Sequence, residues 1–315
     1  VPVSILMTCL MVIFGATGDL SKRNLVPAIA TLARAGRLGE RYAILGISTR
    51  PEFDDAMFRG IVEKVLKEAG LADGDIGQWC WDCLHAHSIG KGRPENFEAL
   101  RGKIEEIERR HRLPGNRLFY LSTPPQVFAP TIMGLGEGRL NKGPGRTRLV
   151  IEKPFGRDLQ SALELNALLH TYFDESQVYR IDHYLGKETV QNLFVFRFSN
   201  FIFESLWNRD RIAAVDVLVA EDLGVEGRAG FYENNGAVRD IMQNHATQLV
   251  SLIAMEPPST AAPEAIRGEK IKLLQAVERI RDDDVVLGQY TAGTSRGEAV
   301  PGYREEPGVA ADSQT

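Results

Sequence analysis

Residues 11–20 read MVIFGATGDL, a short apolar run followed by a turn with two glycines, and a helical pattern begins at Leu25. In this strand, turn and helix order, backbone N–H groups at the helix N-terminus can bind a pyrophosphate. Gly15 and Gly18 match the second and third glycines of the dinucleotide-binding fingerprint G-x-G-x-x-G, but Ile13 replaces the first. An ordinary strand–turn–helix therefore remains open beside a nucleotide-binding turn.

Apolar runs and amphipathic stretches alternate through the first half of the chain. YAILGIS (42–48), RLFYLS (117–122) and RLVIE (148–152) predict strands, and the stretches near 54–69 and 95–111 predict helices. This alternation is typical of a parallel, doubly wound sheet, in which ligands bind at the carboxyl ends of the strands. We therefore predict a Rossmann-like α/β domain over residues 1–177.

The pattern changes past about Ser176. A helix-like stretch (187–200), the β-branched run IAAVDVLVAE (212–221) and a helical pattern from Arg239 to Met255 indicate a second domain of the α+β class. The last stretch, from about residue 293, has little periodicity. We predict a partial α+β domain over residues 178–315, with a mainly antiparallel sheet.

Composition excludes several classes of protein. The 315 residues are 43% hydrophobic and 25% charged, with a net charge of −5, so no basic surface for nucleic acid is expected. The apolar N-terminal segment 1–14 is shorter than a bilayer span and lacks a basic flank, which predicts no membrane anchor. Three cysteines, Cys9, Cys80 and Cys83, fit a reducing compartment, the cytoplasm, and we expect no metal site at the C-x-x-C pair.

Two strand ends carry residues suited to a nicotinamide cofactor. The second predicted strand ends in Ser48-Thr49-Arg50, where an arginine favours the 2′-phosphate of NADP over the ribose hydroxyl of NAD. Glu52 is near enough to leave dual use open. The strand at 148–152 runs into Lys153-Pro154, a turn that can aim the lysine or simply lie at the surface.

Two polar clusters lie in the second half. Asp182-His183-Tyr184-Leu185-Gly186-Lys187 precedes a helix, and its histidine, phenol and ammonium suit a phosphate, although a solvated helix start is the simpler interpretation. His245 lies on the apolar face of its helix, where a core histidine is the common case and a general base requires an orienting carboxylate. Asp182 is the candidate for that carboxylate.

Taken together, seven blocks in order resemble the glucose-6-phosphate dehydrogenase family. The nonapeptide 180–188 resembles the substrate-site signature of that family without a departure. The blocks are VIFGATGDLSKRNLVPA, FYLSTPP, IEKPFG, RIDHYLGKE, FRFSNFIFESLWNR, AEDLGVEGR and RDIMQNH.

The resemblance implies oxidation of D-glucose 6-phosphate at C1 to 6-phospho-D-glucono-1,5-lactone, with NADP as hydride acceptor, as in the first step of the oxidative pentose phosphate pathway. It implies that His245 is the general base, oriented by Asp182. The residues that match substrate-binding positions are His183, Tyr184, Lys187, Glu221, Asp240 and Lys153. Those on the cofactor side are Gly15, Thr17, Gly18, Asp19, Leu20, Arg50 and Lys153.

The family usually continues well beyond residue 315, with further strands, substrate-binding lysines and the main subunit interface. A complete member is expected to be a dimer or tetramer, and the activity of the present chain is doubtful. Two alternatives stay open. One is a truncated, non-catalytic NADP-binding remnant, and the other is a Glu-Lys-Pro-type Rossmann oxidoreductase that acts on an unphosphorylated sugar.

Overall fold

The computed structural model describes residues 8–38, 41–72, 74 and 76–315, and the chain divides into two units, Val1–Ile181 and Asp182–Thr315. Each unit has its own set of elements and its own apolar clusters. In the described ranges, no helix combines the length and the apolar character that crossing a bilayer requires.

A six-stranded parallel sheet forms the centre of unit 1. Its strands stand in the order β3-β2-β1-β4-β5-β6, and every neighbouring pair is parallel. Val12 and Phe14 face one side of the sheet and Ile13 faces the other, which follows from the two-residue period of a strand. The strands are β1 (Cys9–Phe14), β2 (Tyr42–Ser48), β3 (Leu84–Ser88), β4 (Arg117–Leu121), β5 (Thr147–Ile151) and β6 (Val178–Arg180).

Helices cover both faces of this sheet. Three pack on the face of Ile13, and three pack on the face of Val12. The first set is α1 (Val26–Arg34, preceded by a π-helical turn at Ser21–Leu25), α2 (Asp55–Glu68) and α3 (Ile76–Cys83). The second set is α4 (Pro94–Arg110), α5 (Phe128–Glu137) and α6 (Leu159–Tyr172). The predicted Rossmann-like doubly wound sheet is therefore confirmed.

Unit 2 is mainly helical. Its helices are α7 (Glu188–Phe198), α8 (Phe201–Glu204), α9 (Ala229–Ala237), a π-helical segment (Val238–Ala246), α10 (Thr247–Ala254) and α11 (Pro263–Ala276). Among its described residues, β7 (Gly293–Ser295) and β8 (Glu298–Val300) pair as a short antiparallel sheet. The α+β class with an antiparallel sheet is thus confirmed.

The β-branched run 212–221 does not become a strand. It has no regular secondary structure, is mostly exposed, and pairs with no residue that the structure describes. A strand is stabilised by its ladder hydrogen bonds and cross-strand contacts, so β-propensity without a neighbouring strand is not enough to form one.

Candidate functional site

The glycine-rich turn joins β1 to the first helix in a fixed geometry. The backbone N–H groups of Gly15 and Ala16 both donate to the carbonyl of Ile47, at 3.0 and 3.1 Å, and Gly18 donates to the Gly15 carbonyl at 2.9 Å. Gly15 has a φ of +79°, and a Cβ there would lie 2.2 Å from the Ser122 carbonyl oxygen. Only glycine fits this position.

A cavity of about 350 Å³ opens at the carboxyl ends of the first four strands. One ammonium, that of Lys91, stands in its wall, and no carboxylate is among the lining residues that the structure describes. The buried Thr123 Oγ1 in the same wall has no hydrogen-bond partner within the described ranges, so it can bond a ligand. The lining includes Phe14, Gly15, Thr17, Ile47, Ser48, Thr49, Ile89, Gly90, Lys91, Thr123 and Pro124.

The predicted cofactor residues are only partly gathered around this cavity. Gly15 and Thr17 line it. Asp19 is exposed and forms an ion pair with Arg23 at 2.8 Å, one turn further along the helix. Arg50 is exposed just beyond β2 and is not in the cavity wall. Gly18 lies in the turn and Leu20 at the helix start.

Lys91 is a candidate that sequence reasoning missed. Ile89 N–H donates to the Ser48 carbonyl at 2.9 Å, which ties the turn after β3 to the end of β2. Lys91 stands between Gly90 and Gly92, both at positive φ. The signal in the sequence was a lysine between two glycines directly after a strand, which alone looks like a surface turn.

Lys153 follows β5 in unit 1. The peptide bond between Lys153 and Pro154 is cis. Glu152, the preceding residue, accepts a hydrogen bond from the Tyr120 hydroxyl at 2.5 Å. The lysine thus lies at the carboxyl edge of the sheet, as the sequence predicted, since β5 ends at Ile151.

The polar residues that follow β6 surround His245. Its Nδ1 lies 2.6 Å from Asp182 Oδ1, and the side chains are 1% and 12% exposed, respectively. Asp182 Oδ1 also accepts from the backbone N–H of Tyr184 at 3.0 Å, which caps the short helical turn His183–Gly186. Because the Asp182 carboxylate accepts this hydrogen bond, the proton of the neutral imidazole is assigned to His245 Nδ1, and Nε2 then carries none.

Aromatic and cationic groups enclose the imidazole. The Tyr184 ring stacks on His245 with centroids 4.0 Å apart and an angle of 7°, and His183 meets it edge-on at 4.6 Å. Lys187 Nζ lies 3.7 Å from the centroid of the Tyr184 ring. The structure therefore brings together Asp182, His183, Tyr184, Lys187 and His245, which the sequence had placed in two separate clusters.

Asp240 and Glu221 lie in different surroundings. Asp240 is buried on the helical segment that carries His245, and its Oδ2 accepts from Arg228 Nη2 at 2.9 Å. Glu221 is exposed in the irregular stretch before α9. Burial raises the pKa of Tyr232, and the charges of Asp240 and Glu221 add to this shift, so both carboxylates lie within electrostatic range of that phenol.

Donor atoms of Asp182, His183 and His245 lie within 4.8 Å of one another. Oδ1 of Asp182 and Nδ1 of His245 are directed at each other, and the His183 ring contacts His245 edge-on. Because the carboxylate and the imidazole share a hydrogen bond, the arrangement suits proton transfer, and we assign no metal to it.

Family models match nearly the whole chain. Residues 12–192 match the model described as "Glucose-6-phosphate dehydrogenase, NAD binding domain", and residues 194–315 match "Glucose-6-phosphate dehydrogenase, C-terminal domain". The first match makes residues 12–192 a dinucleotide-binding domain, which fits the turn at Gly15 and the cavity beside it.

Curated relatives named glucose-6-phosphate 1-dehydrogenase are similar over almost all of this sequence. The protein of Aggregatibacter actinomycetemcomitans is 44% identical over 98% of this chain, and that of Bacillus subtilis is 42% identical over 97%. A chloroplastic relative from Spinacia oleracea is 39% identical over 98%. The chain spans 63%, 62% and 54% of the lengths of these three proteins, respectively.

Solved structures agree with this match. A structure entitled "Glucose-6-phosphate dehydrogenase in complex with its substrate glucose-6-phosphate" superposes with a TM-score of 0.88 at 38% identity, covering 98% of this chain and 63% of the other. The glucose-6-phosphate 1-dehydrogenase of Mycobacterium avium gives 0.84 at 35% identity, with the same coverage of both chains. The chain therefore belongs to the glucose-6-phosphate dehydrogenase family.

Proposed function

We propose that this chain carries the cofactor-binding and sugar-phosphate-binding groups of an enzyme that oxidises D-glucose 6-phosphate to 6-phospho-D-glucono-1,5-lactone, the first step of the oxidative pentose phosphate pathway. The observation that carries the proposal is the 2.6 Å hydrogen bond between the buried His245 and Asp182. A solved relative, 38% identical, is described as a complex with this sugar phosphate, which supports the choice of substrate.

In the proposed reaction His245 is the general base. Asp182 fixes Nδ1–H, so Nε2 accepts the proton of the C1 hydroxyl as hydride leaves the same carbon. The carboxylate then stabilises the imidazolium that forms. Tyr184 covers one face of the ring and holds its plane, which limits the directions from which a hydroxyl can approach.

The phosphate is assigned to His183, Tyr184 and Lys187. These residues supply an imidazole, a phenol and an ammonium from the short helical turn His183–Gly186 and the residue that follows it, and such donors form charge-assisted hydrogen bonds to phosphate oxygens. We assign Asp240 and Glu221 to sugar hydroxyls, as the family resemblance implies. Lys153 is assigned to the reacting end of the substrate and to the nicotinamide.

NADP is the proposed cofactor, and when bound it supplies the hydride acceptor. The residues present fit it. Gly15 leaves room for a close backbone approach, and Thr123 Oγ1, which has no partner in the part of the chain that the structure describes, offers a donor. A cavity wall with Lys91 and no described carboxylate favours a 2′-phosphate over a free ribose hydroxyl. Gly18, Thr17, Asp19, Leu20 and Arg50 complete the proposed cofactor side.

A cytoplasmic location and a homo-oligomeric state are also proposed. Cys9, Cys80 and Cys83 are free thiols, which suits a reducing compartment. Assembly into a dimer or tetramer is the expectation for a complete family member.

The test is reduction of NADP, followed by absorbance, with the purified chain and glucose 6-phosphate. His245→Asn is expected to lower kcat at least about a hundredfold, because a positioned general base contributes on that scale. The matched control is His170→Asn, which changes an exposed histidine of unit 1 that pairs with Glu175. This control is expected to leave the rate unchanged.

Three other outcomes discriminate among the candidates. Binding of NADP without turnover would favour the non-catalytic remnant. Turnover of free glucose but not of its 6-phosphate would favour an oxidoreductase for unphosphorylated sugars. Equal rates for His245→Asn and His170→Asn would refute the assigned base.

A further inference from the structure

The segment that carries His245 is wound as a π-helix over Val238–Ala246. In a π-helix the backbone N–H of residue i+5 donates to the carbonyl of residue i, so residues five apart lie one above the other. In an α-helix such residues would be turned by roughly 140° relative to each other. The exposure agrees with the π winding, because Asp240 and His245 are the two buried residues of the segment. The winding therefore brings Asp240 to the same side of the segment as His245.

The Asp240 carboxylate is buried beside a cation. Only 4% of the residue is exposed, and a buried carboxylate is costly unless donors or an opposite charge meet it. Arg228 Nη2 donates to Asp240 Oδ2 at 2.9 Å, which is both a hydrogen bond and an ion pair. Charge-assisted bonds of this kind are among the strongest that side chains form, so the contact fixes where the carboxylate lies.

Arg228 is itself held from two further sides. It ends the short helical turn Glu226–Arg228, and its backbone N–H donates to the Val225 carbonyl at 3.0 Å. Its guanidinium carbon lies 5.2 Å from the centroid of the Phe231 ring, in the first turn of α9. A guanidinium that is held against an aromatic ring loses little further freedom when it orients a carboxylate. The arginine is thus directed onto Asp240, although its side chain is partly exposed.

We propose that Arg228 is a positioning residue for Asp240: its Nη2–H···Oδ2 bond holds the carboxylate on the side of the π-helical segment that carries His245, where it accepts hydrogen bonds from sugar hydroxyls. The sugar-binding part of this inference rests on the proposed function. The coupling between Arg228 and Asp240 does not, because it follows from a contact within the folded chain. Arg228 acts only through Asp240, so its removal should matter only while that carboxylate is present.

Tyr232 and Glu221 are titratable groups close to this pair. Burial raises the pKa of Tyr232, the charge of Asp240 adds to the shift, and the charge of Arg228 opposes it. Glu221 also raises the pKa of this phenol. Since several charges act together here, the coupling has to be measured on the Asp240 carboxyl itself.

The first experiment needs no substrate. The Asp240 carboxyl is followed by NMR pH titration of the full chain labelled with ¹³C at the aspartate Cγ, and its signal is assigned by Asp240→Asn. Arg228→Gln removes the charge, and Arg228→Lys keeps it. The matched control is Arg281→Gln, which breaks an exposed arginine–aspartate pair with Asp284 in the same unit. We expect the Asp240 midpoint to rise by about one pH unit in Arg228→Gln and to stay in place in the other two variants.

The second experiment measures the affinity of these variants for glucose 6-phosphate by isothermal titration calorimetry. Arg228→Gln should weaken binding about tenfold, because an orienting bond to a charged group is lost, and Arg228→Lys should restore most of the affinity. In the Asp240→Asn background Arg228→Gln should add no further loss, since no carboxylate is left to position. In a chain that turns over, the loss should appear in KM and leave kcat unchanged.

The outcomes separate positioning from a general structural role. An unchanged Asp240 midpoint in Arg228→Gln would overturn the proposal, as would a loss of sugar-phosphate affinity in the Asp240→Asn background as large as that in the parent. An equal loss of affinity for inorganic phosphate would also overturn it, because this probe has no sugar hydroxyls. If the parent chain did not bind glucose 6-phosphate while the midpoint shift was present, the proposed function would fail and the coupling of Arg228 to Asp240 would stand.

Discussion

The two units differ in how their apolar residues are covered. In unit 1 the sheet residues Leu10, Val12, Ile13, Phe119 and Leu149 are fully buried between two layers of helices. In unit 2 the buried clusters are small, and large apolar side chains reach the surface, with Leu218 88% and Val286 96% exposed.

The difference follows from the way each unit is built. A parallel doubly wound sheet gains its strands from successive βα units, so each strand finds a neighbour and both faces are covered by the connecting helices. The irregular stretch 212–221 in unit 2 has no such neighbour among the described residues. We therefore expect unit 1 to be the more stable and the more cooperative of the two.

The largest expected effect is a matched pair of core truncations. Leu149→Ala in β5 should lower the free energy of unfolding of unit 1 by about 4 kcal/mol, and Leu252→Ala in α10 should lower that of unit 2 by about 2 kcal/mol. The reason is that Leu149 is fully buried in a large core, whereas Leu252 belongs to a small cluster. Equal losses in the two variants would contradict the comparison.

Urea unfolding measures these losses unit by unit. The chain has three tryptophans, and Trp207 in unit 2 donates its Nε1–H to the Ile253 carbonyl at 2.7 Å. Trp207→Phe leaves Trp79 and Trp81 as probes of unit 1, and replacing those two leaves Trp207 as the probe of unit 2. Each truncation should move only the transition of its own unit.

The second prediction concerns a buried ion pair of unit 1. Arg117 donates from Nε and Nη2 to the two carboxylate oxygens of Glu108 at 2.7 and 2.9 Å, and the side chains are 5% and 10% exposed, respectively. Glu108→Gln should cost about 3 kcal/mol, because it leaves a buried guanidinium without its counter-charge.

Two controls for Glu108→Gln separate the effect of the lost charge from the effect of side-chain packing. Glu98→Gln on the same helix changes a carboxylate that is 75% exposed, and we expect a loss below about 0.5 kcal/mol. Replacing both members of the buried pair, as Glu108→Leu with Arg117→Met, should return stability to within about 1 kcal/mol of the parent. If the double variant lost as much stability as Glu108→Gln alone, the packing of the two side chains, and not the unpaired charge, would account for the loss.

The sequence predicted the parts of the fold that depend on local pattern. The run before Gly15 and the turn after it are contiguous, so their periodicity and their glycines were enough to predict β1 and the turn that follows it, whereas the assignment of that turn to nucleotide binding needed the family resemblance. The run 212–221 has equally strong β-propensity, but a strand also requires a partner, which local pattern does not supply.

The residues of the candidate site also differ in whether the sequence alone could indicate them. Asp182 and His245 are 63 residues apart, and their pairing was a hypothesis from chemistry that gained weight from the family resemblance. Lys91 gave no comparable signal, because its importance depends on how the turn after β3 is tied to Ser48. Such contacts arise from tertiary packing.

The third prediction tests whether nucleotide binding belongs to unit 1 alone. Lys91→Gln should lower the affinity for 2′,5′-ADP about tenfold relative to that for 5′-AMP, because one charge-assisted hydrogen bond to the 2′-phosphate is lost. Isothermal titration calorimetry measures both. Lys67→Gln, an exposed lysine of α2, is the control, and Leu252→Ala in unit 2 should also leave the affinity unchanged. An equal loss for both ligands would refute 2′-phosphate recognition by Lys91.

The smallest expected effect is a pH dependence confined to unit 1. Burial alone would raise the pKa of Asp55, but hydrogen bonds from His85 and from the Ala86 N–H outweigh it and lower the pKa from 3.8 to about 2. The folded state then binds fewer protons than the unfolded state, so this stabilisation is complete above about pH 4 and is lost as the pH falls towards the folded pKa. For a partly exposed carboxyl it amounts to about 1 kcal/mol.

Asp55→Asn should therefore cost more at pH 5.5 than at pH 3 in urea unfolding of unit 1. Glu68→Gln, which changes an exposed pair on the same helix, should show no such dependence. If the Asp55→Asn cost were the same at both pH values, the carboxyl would not be stabilised by His85 and Ala86.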